Sequence, residues 1–83
     1  MKLENTKSRE SKRIGGIIHN WYVDDITFGK DNPVVRGMIQ GDLYWNYGPI
    51  RTSVIVNINE DETELETLNT IYQLRDKREQ ENN

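Results

Sequence analysis

Four residues near the middle of the chain have the chemistry of a ligand site. Trp45 and Tyr47 precede Arg51 and Ser53 in the segment WNYGPIRTSVIV, residues 45–56. Flat aromatic rings stack on planar groups, a guanidinium donates charge-assisted hydrogen bonds to anions, and on an extended strand Ser53 lies on the same side as Arg51. The segment predicts a site for a planar or anionic small molecule, which includes nucleotide-like ligands. The alternative is a loop whose aromatics close a small core while Arg51 pairs with an acid.

The sequence argues against an enzyme. His19 is the single histidine and lies beside Trp21, where a structural role is favoured over general-base catalysis. The chain has no cysteine, so no thiolate nucleophile or thiolate metal site is available. Asp24 and Asp25 are adjacent on a strand end and point to opposite faces, so they cannot act as a carboxylate pair. We therefore expect a non-catalytic protein with no cofactor and no metal site.

Charged residues at the two ends define two further candidate sites, although the net charge is only -3. Clustered bases can contact the phosphates of a nucleic acid, and clustered acids can occupy a basic cleft of a partner protein. The basic residues proposed for nucleic acid are Lys7, Arg9, Lys12 and Arg13. The acidic residues proposed for a protein partner are Glu60, Asp61, Glu62 and Glu64.

The elements that must position these residues follow a pattern of alternating apolar and polar positions, which is typical of strands. The predicted fold is mainly all-β, a small curled antiparallel sheet or an SH3-like, partly open barrel of about five strands. We expect a flexible basic arm over 1–12, a single β domain over 13–75 and a charged tail over 76–83. The predicted strands are 14–24, 34–41, 50–58, 63–68 and 71–75.

The alternation also predicts which side chains form the core. In the first strand it places Ile17, Trp21 and Val23 on one face, and in the third it places Ile50 and Val54 on one face. The predicted core residues are Ile17, Trp21, Val23, Val35, Ile39, Ile50, Val54, Val56, Ile58, Leu65, Tyr72 and Leu74.

The segment TELETLNTIYQLR fits two structures. As a helix it has a capping box formed by Thr63 and Glu66, followed by an apolar stripe, which gives an α+β alternative with a helix over 62–80. As a hairpin it has two short strands joined at Asn69-Thr70. Local propensity slightly favours the helix.

Length and composition limit where and how the protein acts. An 83-residue domain buries only about 60% of its unfolded surface, so a homo-oligomer is a natural source of further stability. The sequence has no apolar run of the length that a membrane span requires and no signal-peptide core near its start. We expect a cytoplasmic protein that does not contact membranes.

Two segments carry a family resemblance. GPIRTSVIV and ETLNTIYQL resemble a G-x-IRTS-x-I … T-x-NT-x-Y-x-L pattern of short phage and prophage proteins, most of them uncharacterised. The resemblance favours the hairpin over the helix. It also implies a counter-defence role in the host cytosol, either by sequestering a nucleotide-derived ligand or by blocking a host defence protein as an anti-CRISPR does. A nucleic-acid-binding regulator that uses the basic arm is the alternative.

Overall fold

Six strands form one sheet in the computed structural model, which describes residues 9–43 and 47–79. A 3-10 helical turn, Arg9–Ser11, precedes the first strand. The strands are β1 (Arg13–Asp24), β2 (Val34–Gln40), β3 (Tyr47–Arg51), β4 (Ile55–Ile58), β5 (Glu64–Thr67) and β6 (Thr70–Arg75). Their order across the sheet is β3-β2-β1-β6-β5-β4.

The all-β class is confirmed, and the sheet is curled without closing into a barrel. Two details differ from the prediction. The sheet has six strands instead of five, and it is mixed, because β1 and β6 pair in parallel while the other neighbours are antiparallel. A strand can find a parallel partner far along the chain, and no local pattern in the sequence marks that choice.

The sixth strand arises because the stretch predicted as one strand over 50–58 is interrupted at residues 52–54, with a bend at Ser53. The Thr52 hydroxyl accepts a hydrogen bond from the backbone N–H of Val35 (3.0 Å) and donates one to the carbonyl of Ser53 (2.8 Å). A threonine hydroxyl that replaces a backbone partner in this way interrupts the regular ladder. The chain leaves β3 at one edge of the sheet and begins β4 at the other edge.

A bulge in β1 changes which residues face the core. Asn20 has a φ of 54°, and the register with β2 shifts between His19 and Tyr22. Asn is among the residues that tolerate this left-handed conformation. Ile18 and Trp21 consequently lie on the same face, three positions apart. The predicted strict alternation is wrong here, since Ile17 is only half-buried and Val23 is exposed.

The core lies on the concave side of the curled sheet. Its residues are Ile18, Trp21, Val35, Ile39, Ile50, Leu65, Tyr72 and Leu74, with Ile55 and Ile58 packed against them. Seven of these eight were predicted from the alternation. Val54 and Val56 were also predicted for the core. Val54 is only half-buried in the interruption between β3 and β4, and Val56 is exposed where the register of β4 with β5 shifts between Ile55 and Asn57.

Gly37 allows β1 and β2 to pack closely at this core. A Cβ atom at Gly37 would lie 2.7 Å from the Ile18 Cγ2 atom and 2.8 Å from the carbonyl oxygen of His19. Because no side chain fits at that distance, glycine at this position permits the approach of the two strands.

The C-terminal segment is a hairpin. β5 and β6 pair antiparallel, with Leu65 opposite Tyr72, so the helix predicted as the alternative over 62–80 is wrong for the described residues 62–79. The loop lies at Leu68 and Asn69, one residue before the predicted position. Thr70 therefore begins β6 and avoids the turn conformation that a β-branched residue disfavours. In the described ranges, no helix has the length and hydropathy needed to span a membrane.

Candidate ligand-binding groove

An open groove lies where the end of β3 meets the loop between β1 and β2. We call it the Arg51 groove. Its volume is about 410 Å³. The residues that line it are Phe28, Asn32, Val34, Arg51, Thr52, Ser53, Val54 and Leu68. Apolar side chains thus form part of a groove whose rim carries one cation and several hydrogen-bonding groups.

Arg51 is the charged residue of this groove. Its guanidinium carbon lies 5.1 Å from the centroid of the Phe28 ring, and both side chains are exposed. The residue opposite Arg51 on β2 is Arg36, which is itself paired with Asp24 (2.7 Å). Among the described residues Arg51 has no carboxylate partner. The alternative prediction, in which Arg51 pairs with an acid, is not seen there. Its charge is available to an anion.

The loop that carries Phe28 is held in place by Asp24. The Asp24 carboxylate accepts hydrogen bonds from the backbone N–H groups of Ile26 and Thr27 (both 3.0 Å) and from Arg36 Nε. The bond from the Thr27 N–H is the largest of several causes that hold the pKa of Asp24 well below its usual range. At the far end of the loop, Asn32 Nδ2 donates to the carbonyl of Phe28 (3.2 Å). These bonds keep the Phe28 backbone in a defined position beside β3.

The structure brings together half of the four predicted ligand residues. Arg51 and Ser53 both line the Arg51 groove. Tyr47 lies at the other end of β3, opposite Gln40, and is exposed outside this groove. Trp45 lies outside the described residues. The aromatic ring that accompanies Arg51 is Phe28, which lies between the first two predicted strands and was not among the predicted ligand residues. The available signal was a phenylalanine in a loop rich in turn-forming residues, where no strand would bury it.

The four acids predicted for a protein partner fall into two groups. Glu62 pairs with Lys77 (3.2 Å), and Glu64 pairs with Arg9 (3.0 Å). Glu60 and Asp61 lie exposed in the turn between β4 and β5 and form no ion pair among the described residues. Only these two acids of the predicted set present uncompensated charge.

The bases predicted for nucleic acid contact acids of the same chain. Arg9 pairs with Glu64 and Glu66, Lys12 pairs with Glu66, and Arg13 pairs with Asp42 (3.1 Å). We call these residues the N-terminal ion-pair cluster. Lys7 lies outside the described residues. A nucleic acid bound through Arg9, Lys12 and Arg13 would have to compete with these ion pairs.

Lys12 is the most buried member of the N-terminal ion-pair cluster. Its side chain is fully buried, and Nζ donates to Glu66 Oε2 (2.5 Å) and to the carbonyl of Thr67 (2.8 Å). The hydrogen bond from Lys12 lowers the pKa of Glu66, against the opposing effect of desolvation. The described end of the predicted arm, residues 9–12, is thereby fastened to the β5–β6 hairpin.

His19 has a structural environment. Its Nδ1 lies 3.1 Å from Asp76 Oδ2, and its Nε2 lies 2.7 Å from Gln40 Oε1. The imidazole thus links β1 to β2 and to the segment that follows β6. Within residues 9–43 and 47–79, no group of three or more His, Cys, Asp or Glu side chains is arranged to hold a metal ion.

Comparison of the chain with family models, with curated proteins and with solved structures found no match.

Proposed function

We propose that this protein is a non-catalytic binding protein that sequesters a nucleotide-like ligand in the Arg51 groove. One observation carries the proposal: an arginine without a carboxylate partner lies against an exposed aromatic ring at a groove of about 410 Å³. Small-molecule pockets of proteins commonly have volumes of about 300–1,000 Å³ and combine apolar lining with a few polar groups.

The groove offers separate groups to the two halves of such a ligand. The Arg51 guanidinium donates two parallel hydrogen bonds to a phosphate or carboxylate, and the exposed Ser53 hydroxyl adds a further donor. A planar base stacks on Phe28, with Val54 and Leu68 as neighbouring apolar surface. A ligand that has both an anionic group and a planar ring contacts the polar groups and the apolar surface of the groove at the same time.

The resemblance to short phage and prophage proteins supplies the biological context of the proposal. A small cytoplasmic protein that binds a nucleotide-derived signal tightly counters a host defence system by lowering the concentration of that signal.

A second candidate function is the blocking of a host defence protein through the turn between β4 and β5. Its support is the exposure of Glu60 and Asp61, whose charges are not compensated among the described residues. Uncompensated surface carboxylates favour association with a basic surface of a partner.

The experiment that tests the leading proposal is isothermal titration calorimetry with AMP, GMP, CMP and UMP, preceded by native mass spectrometry of the purified protein. We expect at least one mononucleotide to bind and Arg51→Ala to weaken its binding at least tenfold, because a charge-assisted hydrogen bond is lost. The mass spectrum also tests the expected homo-oligomer and detects any small molecule that is copurified.

Two control variants separate the proposals. Arg75→Ala removes the same charge from an exposed position on β6 and should leave nucleotide binding unchanged. The double variant Glu60→Gln, Asp61→Asn should also leave it unchanged and should abolish inhibition of a host protein if the second candidate is right. Equal affinities of the wild type and Arg51→Ala for every nucleotide would exclude the Arg51 groove as the site.

A further inference from the structure

The Arg51 groove is one end of a row of side chains that crosses the outer face of the sheet. Arg51 on β3 lies opposite Arg36 on β2, and Arg36 lies opposite Tyr22 on β1. Neighbouring strands are about 5 Å apart, so the Cα atoms of Arg51 and Tyr22 are separated by about 10 Å. We call these three residues, together with Arg78, the cross-strand row.

The far end of the row repeats the chemistry of the Arg51 groove. The Arg78 guanidinium carbon lies 4.4 Å from the centroid of the Tyr22 ring, at a second groove of about 400 Å³. The Arg78 backbone N–H donates to the carbonyl of Trp21 (2.7 Å), and Lys77 Nζ lies 5.2 Å from the Trp21 ring. The segment that follows β6 is therefore fastened beside β1, with its arginine over an aromatic ring.

The centre of the row differs from its ends. Arg36 donates to Asp24, so its charge is compensated, and it lines a smaller depression of about 240 Å³ together with Tyr22, Arg78 and Pro49. Arg51 and Arg78 have no carboxylate partner among the described residues. The row thus carries available positive charge beside an aromatic ring at each end, and the central depression adjoins the second groove through Tyr22 and Arg78.

We infer that the ligand is a single-stranded oligonucleotide of at least two units, which runs from the Arg51 groove across Arg36 to Tyr22 and Arg78. This inference rests on the proposed function and extends it from one nucleotide to several. Proteins that bind single strands combine cations for the backbone with aromatic rings for successive bases. The two cation–ring pairs lie at strands that are not adjacent in the sheet, which suits bases that are not adjacent in the strand or are splayed apart.

The two aromatic rings favour a single strand over other anions. A duplex keeps its bases paired and stacked inside, so the ring faces would have no partner. An acidic peptide supplies charge but no planar group for Tyr22 and Phe28. Nucleic acid is therefore the anionic polymer that uses the cations of the cross-strand row together with the rings of Tyr22 and Phe28.

The test is fluorescence anisotropy with labelled rU8 and dT8, compared with calorimetric titration of UMP. We expect the octamers to bind at least tenfold more tightly than UMP, and Arg78→Ala and Tyr22→Leu each to weaken octamer binding about tenfold while UMP binding is unchanged. Arg51→Ala should weaken both probes. Arg75→Ala is the charge-matched control, and circular dichroism checks that each variant keeps the fold. The rU8 and dT8 arms distinguish RNA from DNA.

The outcomes separate this inference from the proposed function. If UMP and the octamers bind with equal affinity, or Arg78→Ala leaves octamer binding unchanged, the inference is wrong while the Arg51 groove stands. If Arg51→Ala has no effect on either probe, the proposed function fails. If an octaglutamate peptide displaces rU8 as well as unlabelled rU8 does, charge alone explains binding and the inference is overturned. Absence of binding by both octamers and by all four mononucleotides overturns both.

Discussion

Two regions of this molecule use basic side chains in opposite ways. In the N-terminal ion-pair cluster, Arg9, Lys12 and Arg13 contact Glu64, Glu66 and Asp42, and Lys12 is buried. At the cross-strand row, Arg51 and Arg78 lie against aromatic rings without a carboxylate among the described residues. The sequence contains the same residue types in both regions. Where carboxylates lie nearby, a basic side chain forms ion pairs that stabilise the fold. Where none lies nearby, its charge remains available to a ligand.

The comparison assigns stability to the cluster and binding to the row. A buried ion pair stabilises the folded state only while both partners remain, since one partner alone leaves an unpaired charge in a dehydrated site. An exposed arginine over a ring contributes less than about 1 kcal/mol to folding. Substitutions in the cluster should therefore change the free energy of unfolding, and substitutions in the row should change ligand affinity.

The largest expected effect on stability is that of Lys12→Met. It should lower the free energy of unfolding by about 3 kcal/mol, because it leaves Glu66 without its buried partner and with only Arg9 nearby. Urea denaturation followed by circular dichroism measures the change. Replacing Glu66 as well, in Lys12→Met with Glu66→Leu, should restore part of the loss. A single variant that is as stable as the wild type would show that the cluster does not hold the fold.

A smaller effect is expected when the pH is lowered. The pKa of Glu66 is lower in the folded protein than in the unfolded chain, so the unfolded state binds more protons between the two pKa values. The contribution of Glu66 to stability is present above its unfolded pKa, about 4.3, and is lost as the pH falls through the lower folded pKa.

Urea denaturation between pH 6 and pH 3 measures this dependence. Glu66→Gln should be less stable than the wild type at pH 6, and its stability should fall less steeply on acidification. Parallel curves for the two proteins would contradict the assignment of this pH dependence to Glu66.

The smallest effect on stability is expected for Arg51→Ala. It should change the free energy of unfolding by less than about 1 kcal/mol, because the side chain is exposed and its contact is with the Phe28 ring. Urea denaturation checks this at the same protein concentration as the nucleotide titrations. A loss as large as that of Lys12→Met would mean that Arg51 acts in folding, and the contrast between the two regions would disappear.

Most of the core was predicted because its signals are local, whereas the hairpin was predicted from the resemblance, since local propensity slightly favours a helix there. Leu65, Tyr72 and Leu74 are apolar positions in short alternating segments, and all three are buried. The first strand shows the limit of such signals. A left-handed Asn20 shifts the phase, so Ile18 replaces Ile17 in the core, and nothing in the spacing of the neighbouring apolar residues marks the bulge.

The candidate site was predicted in part for the same reason. Arg51 and Ser53 are two residues apart, and the structure keeps them in one groove. Phe28 comes from a loop more than twenty residues earlier, and its place beside Arg51 depends on how β1, β2 and β3 pair. A single sequence does not report that pairing, so Trp45 and Tyr47 were chosen as the aromatic partners because they lie nearby in the chain.

By itself the sequence determined that this protein is built from strands and that catalysis by a cysteine is excluded, since alternation and composition are properties of the residues alone. The tertiary structure decided that β1 pairs in parallel with β6 and that an interruption at residues 52–54 divides β3 from β4. It also decided which basic side chains pair with carboxylates and which lie against aromatic rings. These outcomes depend on hydrogen bonds and packing between residues far apart in the chain, whose energies are set only when the whole sheet assembles.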